Sequence, residues 1–248
     1  MDAFTYNNIF DTKGIEYLII IGFFIVLIPF WLILTKKITI PEKIRRIPGI
    51  LTANILRIPQ GLLFCKNHTW AHLSRNGIAE IGLDDLLLHI TGDVTFVSIK
   101  TRGKVVSKGD LIAEIGQNGK TLKIFSPLSG EITETNRALS GEPEIMTSDP
   151  YGKGWIFKIR PTGWTAETSS YYLAAEAVSW LSNELSRFKD FLMESASKYS
   201  HGESELILQD GGELRDHTLS ELPGEVWNSF QDDFMNLVGK GHGNGLTA

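Results

Sequence analysis

Residues 17–34, YLIIIGFFIVLIPFWLIL, contain no charged side chain. At helical rise this run reaches about 27 Å, close to the ~30 Å hydrocarbon core of a bilayer. Backbone polar groups in lipid must be satisfied within the segment, so such a run is expected as a single transmembrane helix over 17–35. Pro29 lies inside it, where a kink is tolerated if the freed carbonyl is met locally. Asp2 and Asp11 precede the run with one base, Lys13, whereas Lys36, Lys37, Lys43, Arg45 and Arg46 follow it. A cleavable signal peptide has the opposite charge order. Positive residues stay on the cytoplasmic side, so the expectation is a short extracytoplasmic segment at 1–16 and everything after Lys36 in the cytoplasm. The localisation that follows is a single-pass membrane protein, in the inner membrane if the cell is bacterial, with Trp31 as an interfacial anchor.

Residues 36–62 carry Pro41, Pro48 and Pro59 among basic and aliphatic residues and read as a juxtamembrane linker. The basic residues enforce topology in the preferred reading, with contact to anionic lipid as the other. The full chain has 248 residues, 42% apolar and 21% charged, which is ordinary for a folded protein and excludes a disordered tail. A net charge of −5 gives no basic face for phosphates, so nucleic acid is excluded as a partner. One cysteine, Cys65, rules out an internal disulfide. Cys65, His68 and His72 are too few for a closed zinc site, and a structural role for them is favoured. Asp84 with Asp85, or Glu142 with Glu144, could serve as paired carboxylates but have no nucleophile beside them. Gly116 and Lys120 do not match the spacing of a phosphate-binding loop. No catalytic residue, metal ligand or small-molecule substrate emerges.

From about 63 to 162 the pattern becomes short apolar runs broken by Gly, Asp, Asn and Pro. VTFVSI, KVVSKGDLIAEI, KTLKIFSP, GEITET and GWIFKI have the length and alternation of strands, and Lys108-Gly109-Asp110 and Pro127-Leu128-Ser129-Gly130 supply turns. A helical stretch is expected at Asp84–His89. Residues 163–238 form a helical extension: Leu173, Ala177, Leu181, Leu185, Phe188 and Leu192 recur at helical spacing. After a hinge at 200–205 and a turn at 210–212, Thr218 and Glu221 have capping-box spacing, and Trp227, Phe230, Phe234 and Leu237 mark the apolar face of a last helix. Residues 239–248 are glycine-rich and expected to be disordered.

Several signatures in fixed order give this middle region a resemblance. His68-Thr69-Trp70, GLDDLLLHITGDVTFV at 82–97, Gly103, Lys108-Gly109-Asp110, SPLSGEITETN at 126–136 and DPYGKGWIFKI at 149–159 resemble the H protein of the glycine cleavage system. The fold class this implies is mainly β with α additions: a barrel-sandwich hybrid of the lipoyl-domain type, preceded here by the transmembrane helix and followed by amphipathic helices. The family's function depends on one lysine at a hairpin tip, amide-linked to lipoic acid, and the protein is a carrier and no enzyme.

At that tip the sequence departs from the family. The family pattern is close to E-S-V-K-A, with its lysine eight positions before the turn proline. Counting back from Pro127 reaches Gly119, and Gly116-Gln117-Asn118-Gly119 stands where that tetrad would be. Lys120 is one residue further on, but a one-residue slip turns strand side chains to the opposite face. Asn-Gly is the preferred pair for a two-residue type I′ hairpin. The expectation is a tip at Gln117, Asn118 and Gly119 with no cofactor. A lipoyl group on Lys120, in a tethered carrier of electrons or one-carbon units, is the alternative. The function expected is a membrane-anchored adaptor subunit with a degenerate lipoylation site and protein partners in a membrane complex.

Overall fold

The structure, a computed structural model, describes residues 9–35, 49–199 and 214–235. The linker residues 36–48, the hinge and turn at 200–213, Leu237 and the glycine-rich tail lie outside the described residues, as do 1–8. The chain divides into two compact units, Met1–Arg46 and Ile47–Ala248.

In the first unit, α1 spans Ile9–Thr35, with Pro29 inside it. The helix begins eight residues before the apolar run, and every side chain described on it, from Tyr17 to Trp31, is exposed. Among the described residues no helix is long and apolar enough to cross a membrane.

The second unit is built on β1 (Leu63–Cys65), β2 (Thr69–Leu73), β3 (Ala79–Leu83), β4 (Thr95–Ser98), β5 (Val105–Val106), β6 (Leu111–Gln117), β7 (Lys120–Phe125), β8 (Gly130–Thr135), β9 (Phe157–Pro161) and β10 (Tyr172–Leu173). A seven-stranded sheet has the order β10-β1-β2-β3-β9-β8-β5, and a three-stranded sheet the order β4-β6-β7. All pairings are antiparallel. The alternation read in the sequence becomes burial at Leu122 and Ile124 of β7 and at Ile81, Ile132, Phe157 and Ile159 of the large sheet, while a register shift between Leu111 and Ala113 puts both Ile112 and Ala113 of β6 in the core with Ile115.

Two close approaches fix how neighbouring strands of the large sheet meet. Trp70 is buried and donates from Nε1 to Pro150 O at 3.1 Å, and a Cβ on Gly82 would lie 2.5 Å from its indole. At Gly130 a Cβ would lie 2.2 Å from Arg160 O, so only glycine lets β8 and β9 come together there. The Lys108-Gly109-Asp110 turn forms as its residues suggest: Gly109 has φ 90°, and Ser107 N donates to Asp110 Oδ2 at 2.9 Å.

Between β3 and β4, α2 (Asp85–Thr91) is buried along its whole length. Asp84 caps it, accepting from Leu87 N at 2.8 Å, which accounts for the start expected from the sequence. Short helices α3 (Ile145–Ser148) and α4 (Trp164–Thr168) lie in the connections. The long α5 covers Ala175–Tyr199, burying Ala177, Leu181, Leu185, Phe188 and Leu192.

Leu173 is a correction: it belongs to β10, pairs with Leu63, and is 43% exposed. Ala174, at φ 50°, separates that strand from α5, so the apparent helical spacing crosses a break.

The final described segment contains α6 (Thr218–Glu221) and α7 (Gly224–Ser229), continued by a π-helical turn at Phe230–Met235. The capping box is also corrected. His217, at φ 64°, is the residue before α6, and no side chain caps the helix; the Thr218 hydroxyl turns back to donate to Arg215 O. Pro223 follows this single turn and starts the next, where Trp227, Phe230 and Phe234 of the expected apolar face are buried, with Val226 beside them.

Candidate functional site

The β6–β7 hairpin carries the residues singled out in the sequence. Gln117 pairs with Lys120 across a two-residue turn in which Asn118 has φ 51° and Gly119 φ 79°. Both central residues are left-handed, as a type I′ turn requires. A Cβ at Gly119 would meet nothing within 4 Å, so backbone conformation rather than crowding favours glycine there. Asn118 and Gly119 are exposed. Gln117 is tied sideways, its Nε2 donating to Asp93 O at 2.7 Å. The tip presents no amine.

Lys120 begins β7, and its side chain is occupied. Nζ donates to Ser220 O and to Leu222 O, each at 2.9 Å, and lies 5.3 Å from the centre of the Trp227 ring. These carbonyls close the single turn of α6, so the ammonium acts as its C-terminal cap. Burial holds the Lys120 amine below the usual lysine range. Trp227 is itself fixed, donating from Nε1 to Leu219 O at 2.7 Å. Three residues on, the Lys123 amide donates to Gln231 Oε1 at 2.6 Å on the open edge of β7, while its side chain stays exposed.

The remaining candidates do not converge with the hairpin. His68, fully buried at φ 57°, is 2.8 Å from Asp84 Oδ2 through Nδ1 and 3.6 Å from Glu184 Oε2 through Nε2. Its ring stacks between Trp180 and Phe234, at 5.5 Å from each. Burial alone would lower its pKa, but Asp84 and then Glu184 outweigh that and push it up to about 9. Cys65 is buried, and His72 is exposed with Nδ1 3.4 Å from Gly61 O. Among the described residues no group of three His, Cys, Asp or Glu side chains is placed to hold a metal ion.

Asp84 and Asp85 diverge: one serves His68 and the helix cap, while the other accepts from Arg57 N and Nη2, both at 2.9 Å. Glu144 precedes α3 without a side-chain cap bond.

A second buried histidine was not singled out by the sequence. His89 Nδ1 is 2.7 Å from Asp216 Oδ1, and Nε2 is 3.5 Å from Asp85 Oδ2. Burial would lower it, but hydrogen bonds to Asp216 and Asp85 push it up to about 9. Asp85 is held below the usual carboxylate range because His89 and Arg57 outweigh the cost of burying it. The His89 contact spans 127 residues, so only a pairing of distant elements could have revealed it.

Comparison with known proteins places the hairpin in a family frame. The Glycine cleavage H-protein family matches residues 62–184. A probable glycine cleavage system H protein of Thermococcus kodakarensis is 37% identical over 106 residues, covering 43% of this chain and 78% of that protein. Glycine cleavage system H protein 2 of Pseudomonas syringae pv. tomato is 36% identical, covering 48% of this chain and 91% of its own length. The glycine cleavage system H protein of Thermus thermophilus is 38% identical, with 42% and 80% covered. The match ends at residue 184, before the segment that holds Lys120.

Proposed function

Because the chain belongs to the glycine cleavage H-protein family, a family of lipoyl-carrier domains, we propose that it keeps the carrier fold as a binding platform without the cofactor. It acts as a non-enzymatic adaptor subunit, anchored by its N-terminal helix and serving a membrane complex on the cytoplasmic face. The observation that carries this reading is Lys120: the one amine adjoining the tip already caps α6 through two carbonyls. An attaching enzyme needs an exposed amine at a turn it can grip, and Asn118-Gly119 offers none. The anchor rests on the uncharged run at 17–34 and on the basic residues after it. A tether raises local concentration only near membrane partners, which suits a fixed adaptor better than a shuttling carrier.

Gentle detergent solubilisation of native membranes, followed by affinity capture of the chain, tests this role. The same membrane subunits should co-purify in repeated preparations and be lost when the N-terminal helix is removed. Recovery of monomeric chain alone, or recovery in the soluble fraction, would count against it.

A second reading, a tethered carrier with a lipoyl group on Lys120, draws on the lowered pKa of that amine. It requires a lipoyl adduct that Lys120→Arg abolishes.

A further inference from the structure

The segment Leu214–Met235 carries five carboxylates, Asp216, Glu221, Glu225, Asp232 and Asp233, against one arginine. The body of the domain meets it with cations at three places. His89 binds Asp216 at its start, Lys120 caps α6 in its middle, and near its end Arg187 Nη2 donates to Phe234 O at 3.1 Å with its guanidinium 3.8 Å from the Phe234 ring. The segment's own Leu219, Trp227, Phe230 and Phe234 are buried. Gln231 fills the hydrogen-bonding position on the β7 edge that another strand or a partner's backbone would take. The root of the segment pairs with the first described residues of the linker: Leu51 N donates to Leu214 O at 2.7 Å and Asp216 N to Gly49 O at 2.8 Å.

We propose that Leu214–Met235 is a strap occupying an interaction surface on the hairpin, so that a protein partner must displace it to reach β7 and Lys120. The surface fits a helical turn with open C-terminal carbonyls, followed by aromatic residues three or four apart, and the strap supplies that chemistry in cis. Because its root is paired with residues 49–51, its hold is shared with the segment that leads from the N-terminal helix. The inference stands apart from whether Lys120 is ever lipoylated.

The test is lysine footprinting of the full chain in detergent, produced without lipoate. The protein is treated briefly with an N-hydroxysuccinimide acetate ester, and acetylation of Lys120 and Lys123 is read by peptide mass. A lowered pKa would by itself speed acylation of Lys120, so slow labelling reports occlusion. Lys120 should react at least about tenfold more slowly than Lys123, and Trp227→Ala should narrow that gap to about threefold or less. Equal rates in the unaltered chain would overturn the proposal, while leaving an unmodified Lys120 compatible with the adaptor reading. Gln231→Ala provides a milder check that does not disturb the buried aromatics. It should speed hydrogen exchange at the Lys123 amide about tenfold with β3 and β9 unchanged, and an unaltered rate there would equally overturn the strap.

Discussion

Gly82 and Gly119 show how differently one residue type is constrained. A Cβ at Gly82 would lie 2.5 Å from the Trp70 indole, which is buried and hydrogen-bonded to Pro150 and cannot yield. Gly82→Ala should cost about 1–3 kcal/mol in chemical denaturation through overpacking. At Gly119 there is open space, so Gly119→Ala should cost about 1 kcal/mol, from the positive φ alone. Asp84 carries more than either, because it accepts from both His68 and the start of α2. Asp84→Ala takes the nearer carboxylate from a buried imidazolium, leaving it only Glu184 at 3.6 Å, and removes a helix cap, and should destabilise by about 3–5 kcal/mol. A loss below 1 kcal/mol would show that His68 is not held as an ion pair.

At the scale of elements, the strap's docking should respond to pH. His68 and His89 have folded pKa values of about 9, above the ordinary 6.5. Their stabilisation is therefore complete below pH 6.5 and is lost as pH rises through about 9. The groups facing His89 are Asp85, Asp216 and, through Asp85, Arg57, with His217 beside Asp216. Those facing His68 are Asp84 and Glu184, the latter also paired with Arg187. Asp85 and Glu184 have depressed values, so their stabilisation is present above the ordinary carboxylate range and lost as pH falls below it. Hydrogen exchange across 218–230 should thus be slowest near pH 5–6.5, after correction for the intrinsic rate, and quicken toward pH 9. Asp216→Asn should flatten the alkaline part of that profile, and an unchanged profile would remove His89 from the account of docking.

Elements whose cause is local were legible in the sequence. The helix start at Asp84, the Asn118-Gly119 turn and the alternation of β7 each follow from a few neighbouring residues. Leu173 was misread because a spacing of four crosses the Ala174 break without any change in apolar pattern. Thr218 and Glu221 have the right spacing, but the chain reaches α6 through a left-handed His217, which turns the hydroxyl away. The contacts of Lys120 with Ser220 and Leu222 span 100 and 102 residues, and no local pattern encodes them.

For the whole molecule, the proposed adaptor role draws together the family fold and the Asn118-Gly119 tip. The H-protein match covers residues 62–184, and an acidic segment beyond it lies over the hairpin where the family's function is carried. Under the proposed reading, a domain with these sheets, a buried α2 and a hairpin whose tip is Asn118-Gly119 serves as a shape for other proteins to bind. The measurement that tests this most directly is peptide mass spectrometry on the chain purified from its native membrane with lipoate available, reading the peptide that contains Lys120 and Lys123. The expected result is an unmodified peptide at full occupancy. A lipoyl adduct on Lys120 would contradict it and make the protein a tethered carrier.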